Sequence, residues 1–211
     1  FIHPYDDLDI IAGQGTLGLE MLEQLPSVEA LLIPVGGGGL ASGIAVAIKT
    51  ARPEIEIYGV EAAGAASMYE SLRKGRIISL ESVDTIADGI AIKSPGRYTF
   101  KLLKELANGI VVVNDHEISE AMTYLAERVK VVAEPAGAVG VAAMLSGKVD
   151  IKGKTACAVI SGGNVDLVLF SNVALKAFVR EGRIARINVI MRDRPGSLAG
   201  VIRTLADIRA N

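Results

Sequence analysis

Ala30-Leu31-Leu32-Ile33-Pro34-Val35-Gly36-Gly37-Gly38-Gly39-Leu40 is the stretch that decides the fold. Its first six residues are a compact apolar run of strand length. Four glycines follow, and Leu40 to Ala51 then reads as a helix of small residues ended by Pro53. A continuous apolar run suits a strand buried on both faces, as in a parallel sheet covered by helices. Without Cβ atoms the glycine backbone reaches φ > 0 and lets a ligand approach closely. The helix start adds unpaired N–H groups and the positive end of the dipole. Together these form an anion site, most often for phosphate. A sharp turn without a ligand is the plainer alternative, but each glycine costs roughly 0.5–1 kcal/mol relative to Ala in regular structure.

The flanking sequence repeats the alternation. Thr16 to Leu25, Ala66 to Lys74, Ile118 to Val129, Ala136 to Leu145 and Asp166 to Val179 read as helices. Gly75 stops the second, Asn114-Asp115 caps the third, and Pro135 stands at the start of the fourth, as helix ends prefer. Glu56 to Val60, Gly109 to Val113 and Thr155 to Ile160 read as strands. Strands alternating with helices predict an α/β fold, a parallel sheet with helices on both faces. Arg180-Glu181-Gly182-Arg183 marks a boundary. Beyond it, Ile184 to Met191 alternates as a strand with Ala185, Ile187, Val189 and Met191 on its apolar face, and a helix follows Arg192-Asp193-Arg194-Pro195-Gly196-Ser197-Leu198.

Composition narrows the function. The 211 residues carry a net charge of −2, so no basic stripe awaits nucleic acid. One cysteine, Cys157, excludes an intramolecular disulfide framework and a cysteine zinc cage, and two histidines, His3 and His116, speak against a His-rich metal site. No apolar run approaches the roughly 18 residues of a membrane span. No signal-peptide pattern opens the chain, and a cytoplasmic protein is expected. Glycine is the outlier, with 23 residues in clusters. Phe1-Ile2-His3-Pro4 reads like the middle of a longer sequence, and Leu205 to Asn211 stops within a helical pattern, so a fragment is expected.

Two ligand classes compete for the glycine loop. Gly36, Gly38 and Ala41 satisfy the relaxed dinucleotide fingerprint, and Glu61 stands about 20 residues on, where a ribose-binding acid belongs. Spacing alone leaves a NAD-binding Rossmann enzyme open. A second cluster, Ser161-Gly162-Gly163-Asn164, also lies between a strand and a helix and sets a hydroxyl against a flat ligand. A phosphorylated aromatic cofactor gives both loops a purpose, one for the phosphate and one for the ring. A non-catalytic module that senses a phosphate or an amino acid would share the glycine loop alone.

Gly36 to Leu40, Thr85-Ile86-Ala87-Asp88-Gly89, Glu134-Pro135-Ala136-Gly137 and Ser161 to Asn164 together resemble the threonine dehydratase and serine racemase family. His3-Pro4-Tyr5-Asp6-Asp7 and Ala12-Gly13-Gln14-Gly15-Thr16 match the run that precedes its glycine loop. The resemblance covers residues 1 to 180 and implies a pyridoxal 5'-phosphate enzyme of the tryptophan-synthase-β-like fold, PLP fold type II. It implies that Gly36, Gly37, Gly38, Gly39 and the backbone of Leu40 hold the cofactor phosphate. It sets Ser161 at the pyridine nitrogen and Glu134 near the cofactor or substrate. Read alone, Glu134 is a helix N-terminal acid favoured by the dipole. The family reaction converts threonine, and serine, to a 2-oxo acid and ammonia; isoleucine biosynthesis is one setting for it.

Two departures matter. The family's Schiff-base lysine stands in Ser-Phe-Lys-x-Arg-Gly, which is absent here, so this chain alone is expected to be inactive. Serine racemases bind a divalent cation through two acids and a backbone carbonyl. Glu61 and Ala65 match one acid and the carbonyl, and Ser67 replaces the other acid, which weakens such a site. The segment from Ile187 resembles the first strand and helix of an ACT domain, a small module that binds amino-acid effectors. It favours threonine dehydratase over serine racemase. The expected layout is 1–182, a PLP-binding catalytic domain without its N-terminal part, and 183–211, a partial ACT domain, in a homo-oligomer.

Overall fold

The computed structural model describes residues 2–185 and 187–209. The chain divides into two compact units, residues 1–177 and 178–211. The first is built on a four-stranded sheet, β1 (Ala30–Pro34), β2 (Glu56–Ala62), β3 (Gly109–Val113) and β4 (Ala156–Ala158). Its order is β3-β2-β1-β4 and all pairs are parallel. β1 is buried along its whole length, which is why its sequence carries no polar alternation.

Successive β1 side chains feed two cores. Leu31, Ile33 and Val35 pack with Ile44 and Ile48 of α2 (Gly39–Ala51), Met68 of α3 (Ser67–Lys74) and Leu103 of α4 (Arg97–Leu106). Leu32 joins Val60, with Ile118 and Met122 of α5 (Asp115–Tyr124), Val139 of α6 (Pro135–Leu145) and Val173 of α7 (Leu167–Arg180). Helices therefore cover both faces, as the patterning predicts. α1 (Leu8–Gln24) lies on the α2 side, where Gly15 sits so close that an added Cβ would stand 3.0 Å from the Gly43 carbonyl oxygen.

Local signals fix the helix ends. Asp7 Oδ1 accepts from the amides of Asp9 (2.9 Å) and Ile10 (3.3 Å) and starts α1 at Leu8, earlier than the predicted Thr16. Gly75 closes α3 at φ +69°. Asn114 and Glu117 form a reciprocal capping box on α5. That helix ends at Tyr124 and passes into a π-helical turn, Leu125–Val129, so the predicted run to Val129 is two elements.

Three further readings change. α4 was absent from the predicted elements. β4 is three residues long rather than six, although the Val159 amide still donates to the Leu32 carbonyl at 3.0 Å. The described residues of 184–191 form no strand; Arg186 lies outside the description. Ile187 and Ile190 are 62% and 102% exposed, and no neighbouring strand among the described residues takes up the backbone groups there. Within the second unit, helix α8 (Ser197–Asp207) forms as expected, entered through Gly196 at φ +88°. Among the described residues no helix is long and apolar enough to cross a membrane.

Candidate cofactor site

In open α/β sheets ligands bind beyond the carboxyl ends of the strands. Here β1 and β4 are adjacent and parallel, with Ala158 paired to Leu32. The Val159 amide still donates to the Leu32 carbonyl, so the chain leads on to Ser161 from beside the end of β1. The two glycine-bearing loops therefore leave the sheet side by side.

Gly36 and Gly37 connect β1 to Gly38, the N-cap of α2. Gly38 holds φ +97°, open to glycine at little cost, and an added Cβ there would lie 2.8 Å from Thr99 Cβ. The Tyr5 ring packs directly on Gly37, leaving no room for a side chain. Among the described residues the amides of Gly36, Gly37, Gly38, Gly39, Leu40 and Ala41 donate no hydrogen bond. Six consecutive free donors at a helix N-terminus suit a phosphate group. Ser161, exposed beside them, adds a neutral hydroxyl. These residues fit pyridoxal phosphate.

The other two motifs meet the same edge. The Glu134 amide donates to the Gly162 carbonyl (3.1 Å), and Glu134 Oε2 accepts from the Asn164 amide (3.0 Å). A Cβ at Gly162 would stand 2.5 Å from Glu134 Oε1, and one at Gly137 would stand 2.7 Å from the Gly162 carbonyl oxygen. Gly89 and Ile90 complete the cluster: positions for a Cβ at Gly89 and Gly36 fall 3.0 Å from Ala136 Cβ and Ile90 Cα, respectively. Glu134 thus braces the Ser161–Asn164 loop, in addition to standing at the start of α6.

Glu61 is used differently. It is fully buried on β2, and its Oε1 and Oε2 accept from the amides of Met68 (2.8 Å) and Tyr69 (2.7 Å) in the first turn of α3. Burial pushes its pKa up to about 8, against the opposing pull of those two amides. A buried helix cap cannot offer its carboxylate to a ribose, which removes the residue that supported NAD. Ala65 lies buried in the turn 63–65, and the Ser67 hydroxyl is buried without a hydrogen-bond partner among the described residues. No group of three His, Cys, Asp or Glu among the described residues could hold a metal ion. With one acid already engaged and the other replaced by Ser67, these residues do not fit a divalent cation.

Several supporting residues had no role in the sequence reading. Asp6 caps α4 from about 90 residues away, accepting from the amides of Arg97 (2.8 Å), Tyr98 (2.8 Å) and Thr99 (3.3 Å). Thr85 Oγ1 donates to Asp115 Oδ1 (2.5 Å), and the Ile86 amide donates to Asp115 Oδ2 (3.1 Å), which ties the Thr85–Gly89 segment to the start of α5. Spacing cannot reveal such pairings. Helix α4 did have a signal, with Phe100, Leu103 and Leu106 on one face. Cys157 is half-buried in β4 and its thiol is pushed up by burial, in keeping with a core position.

Comparison with known proteins supports the same grouping. The family described as pyridoxal-phosphate dependent enzyme matches residues 1–162. The L-threonine ammonia-lyase of Thermotoga maritima is 49% identical over 211 residues, all of this chain and 52% of its own length. The catabolic L-threonine dehydratase TdcB of Escherichia coli K12 is 45% identical over 82% of this chain and 53% of its own. Threonine deaminase isoform 2 of Solanum lycopersicum superposes with a TM-score of 0.79 at 39% identity, covering 84% of this chain and 50% of that one. Maize serine racemase gives 0.76 at 39% identity, over 82% and 55%. The chain spans about half the length of these relatives. With its glycine loop, its serine loop and the Glu134 brace on one sheet edge, the chain belongs to the pyridoxal-phosphate dependent enzyme family.

Proposed function

We propose that this chain is the phosphate- and ring-holding part of a threonine ammonia-lyase, which converts L-threonine, and also L-serine, to a 2-oxo acid and ammonia. The observation that carries the reading is the meeting of four separate motifs at one sheet edge, with free amides on one side and Ser161 on the other. The names of the relatives from Thermotoga maritima and Escherichia coli point to the same substrate.

When bound, pyridoxal phosphate supplies the electron sink for loss of the α-proton and the β-hydroxyl. The protein's own work is placement. Gly36, Gly37, Gly38, Gly39 and Leu40 would present amides to the phosphate. Ser161 would meet the pyridine nitrogen with a neutral hydroxyl, which does not enforce protonation as a carboxylate would. Glu134 holds the Ser161–Asn164 loop in register with the glycine loop. The segment 183–211 serves as an amino-acid-binding ACT unit, with the exposed Ile187, Val189 and Met191 as the apolar face of its first strand, within a homo-oligomer.

No Ser-Phe-Lys-x-Arg-Gly occurs in these residues, so the chain alone binds the cofactor without turnover. Supplied with pyridoxal phosphate and threonine it releases no 2-oxobutanoate. A chimera with the part of the Thermotoga maritima enzyme that this chain does not match releases it. A chimera that folds, binds the cofactor and racemises serine without deaminating threonine would overturn the assignment in favour of a racemase.

A further inference from the structure

Thr99 is fully buried on α4, a helix that carries none of the four motifs. Its Oγ1 donates to the Gly37 carbonyl oxygen at 2.6 Å, and the Gly96 amide reaches the same oxygen at 3.4 Å. The Gly37 carbonyl and the Gly38 N–H belong to one planar trans peptide, so they point in opposite directions. Fixing the carbonyl toward α4 therefore fixes the Gly38 N–H away from it. That N–H is one of six consecutive amides, Gly36 to Ala41, without a hydrogen-bond acceptor among the described residues.

Thr99 is itself held from both ends. Its amide donates to Asp6 Oδ1 (3.3 Å), and its carbonyl accepts from Ser42 Oγ (3.4 Å). The Tyr5 ring covers Gly37, and the Tyr5 hydroxyl donates to the Ser94 carbonyl (3.2 Å). The Gly37–Gly38 peptide is thus held by Tyr5 and Thr99. Without the threonine hydroxyl, the Gly37 carbonyl keeps only the long bond from Gly96, and the peptide can rotate.

We infer that Thr99 is a positioning residue for the cofactor phosphate, acting through the Gly37 carbonyl to aim the Gly38 amide. The inference rests on the proposed binding of pyridoxal phosphate at the glycine loop. It distinguishes the phosphate from the rest of the cofactor, and this makes it separable from a general structural role. A variant that merely loosens the fold weakens binding of pyridoxal and pyridoxal phosphate alike. A variant that misaims one amide weakens only the ligand that carries the phosphate.

The test measures dissociation constants of pyridoxal phosphate and of pyridoxal for the full chain, by isothermal titration, in wild type, Thr99→Val and Thr99→Ser. The expected result is a wild-type preference for the phosphorylated ligand that falls about tenfold in Thr99→Val, the scale of one hydrogen bond. Thr99→Ser keeps the preference. Thr99→Ala, which leaves space rather than bulk, replaces the valine variant if circular dichroism shows that the latter does not fold. An unchanged preference in a folded variant without the hydroxyl overturns the inference, as does an equal fall for both ligands. A wild-type chain that binds pyridoxal as tightly as pyridoxal phosphate overturns the phosphate reading itself.

Discussion

Glu61 lies at the end of a strand with both carboxyl oxygens committed to the amides that start α3. Its pKa of about 8 has a consequence for stability. In the unfolded chain the group loses its proton near the ordinary glutamate value of about 4.3. Between there and about pH 8 the folded state binds more protons than the unfolded one. The contribution is therefore complete at acid pH, falls as pH rises through that window, and is lost above it. Thermal melts of Glu61→Gln should show a flatter pH dependence there than wild type; equal slopes would mean that the carboxyl is ionised in the fold. Asp6 is a second acidic cap, an acceptor for three amides of α4. Asp6→Ala should cost about 1 kcal/mol in chemical denaturation, and Asp6→Asn much less. Neither role was legible in the sequence. Glu61 sits at the spacing of a ribose acid and of a cation ligand, and only its burial shows it to be a helix cap.

The helices and strands around the site show which signals travel through sequence. β1, α2, β3 and α6 match their predicted spans to within a residue or two, because each carries an apolar run with a glycine, asparagine or proline boundary. The 184–191 stretch has the right alternation, yet a strand needs a neighbour to accept its hydrogen bonds, and periodicity does not supply one. Glycines divide in the same way. Gly38 sits at φ +97° against Thr99, so Gly38→Ala should lower stability by about 1–3 kcal/mol, read as a drop in melting temperature. Gly13 is exposed inside α1 with open space around it. Gly13→Ala should raise stability by about 0.5–1 kcal/mol in the same assay. The sequence shows both as glycine; the structure separates a required one from a replaceable one.

At the scale of the whole molecule, the excess of glycine serves close approach. Gly37 admits the Tyr5 ring, Gly162 admits the Glu134 carboxylate, and Gly43 admits the backbone of α1. The two glycine loops were legible as a phosphorylated-cofactor site because both stand where a strand meets a helix. Their brace was only half legible: Glu134 was singled out, but its bond to the Asn164 amide depends on folding. In the proposed function the carboxyl ends of β1 and β4 hold pyridoxal phosphate by its phosphate group. Equilibrium dialysis of the full chain against pyridoxal phosphate, with inorganic phosphate or NAD as competitor, tests it most directly. The expected result is binding that inorganic phosphate displaces and NAD does not; binding of NAD with no uptake of pyridoxal phosphate would overturn the assignment.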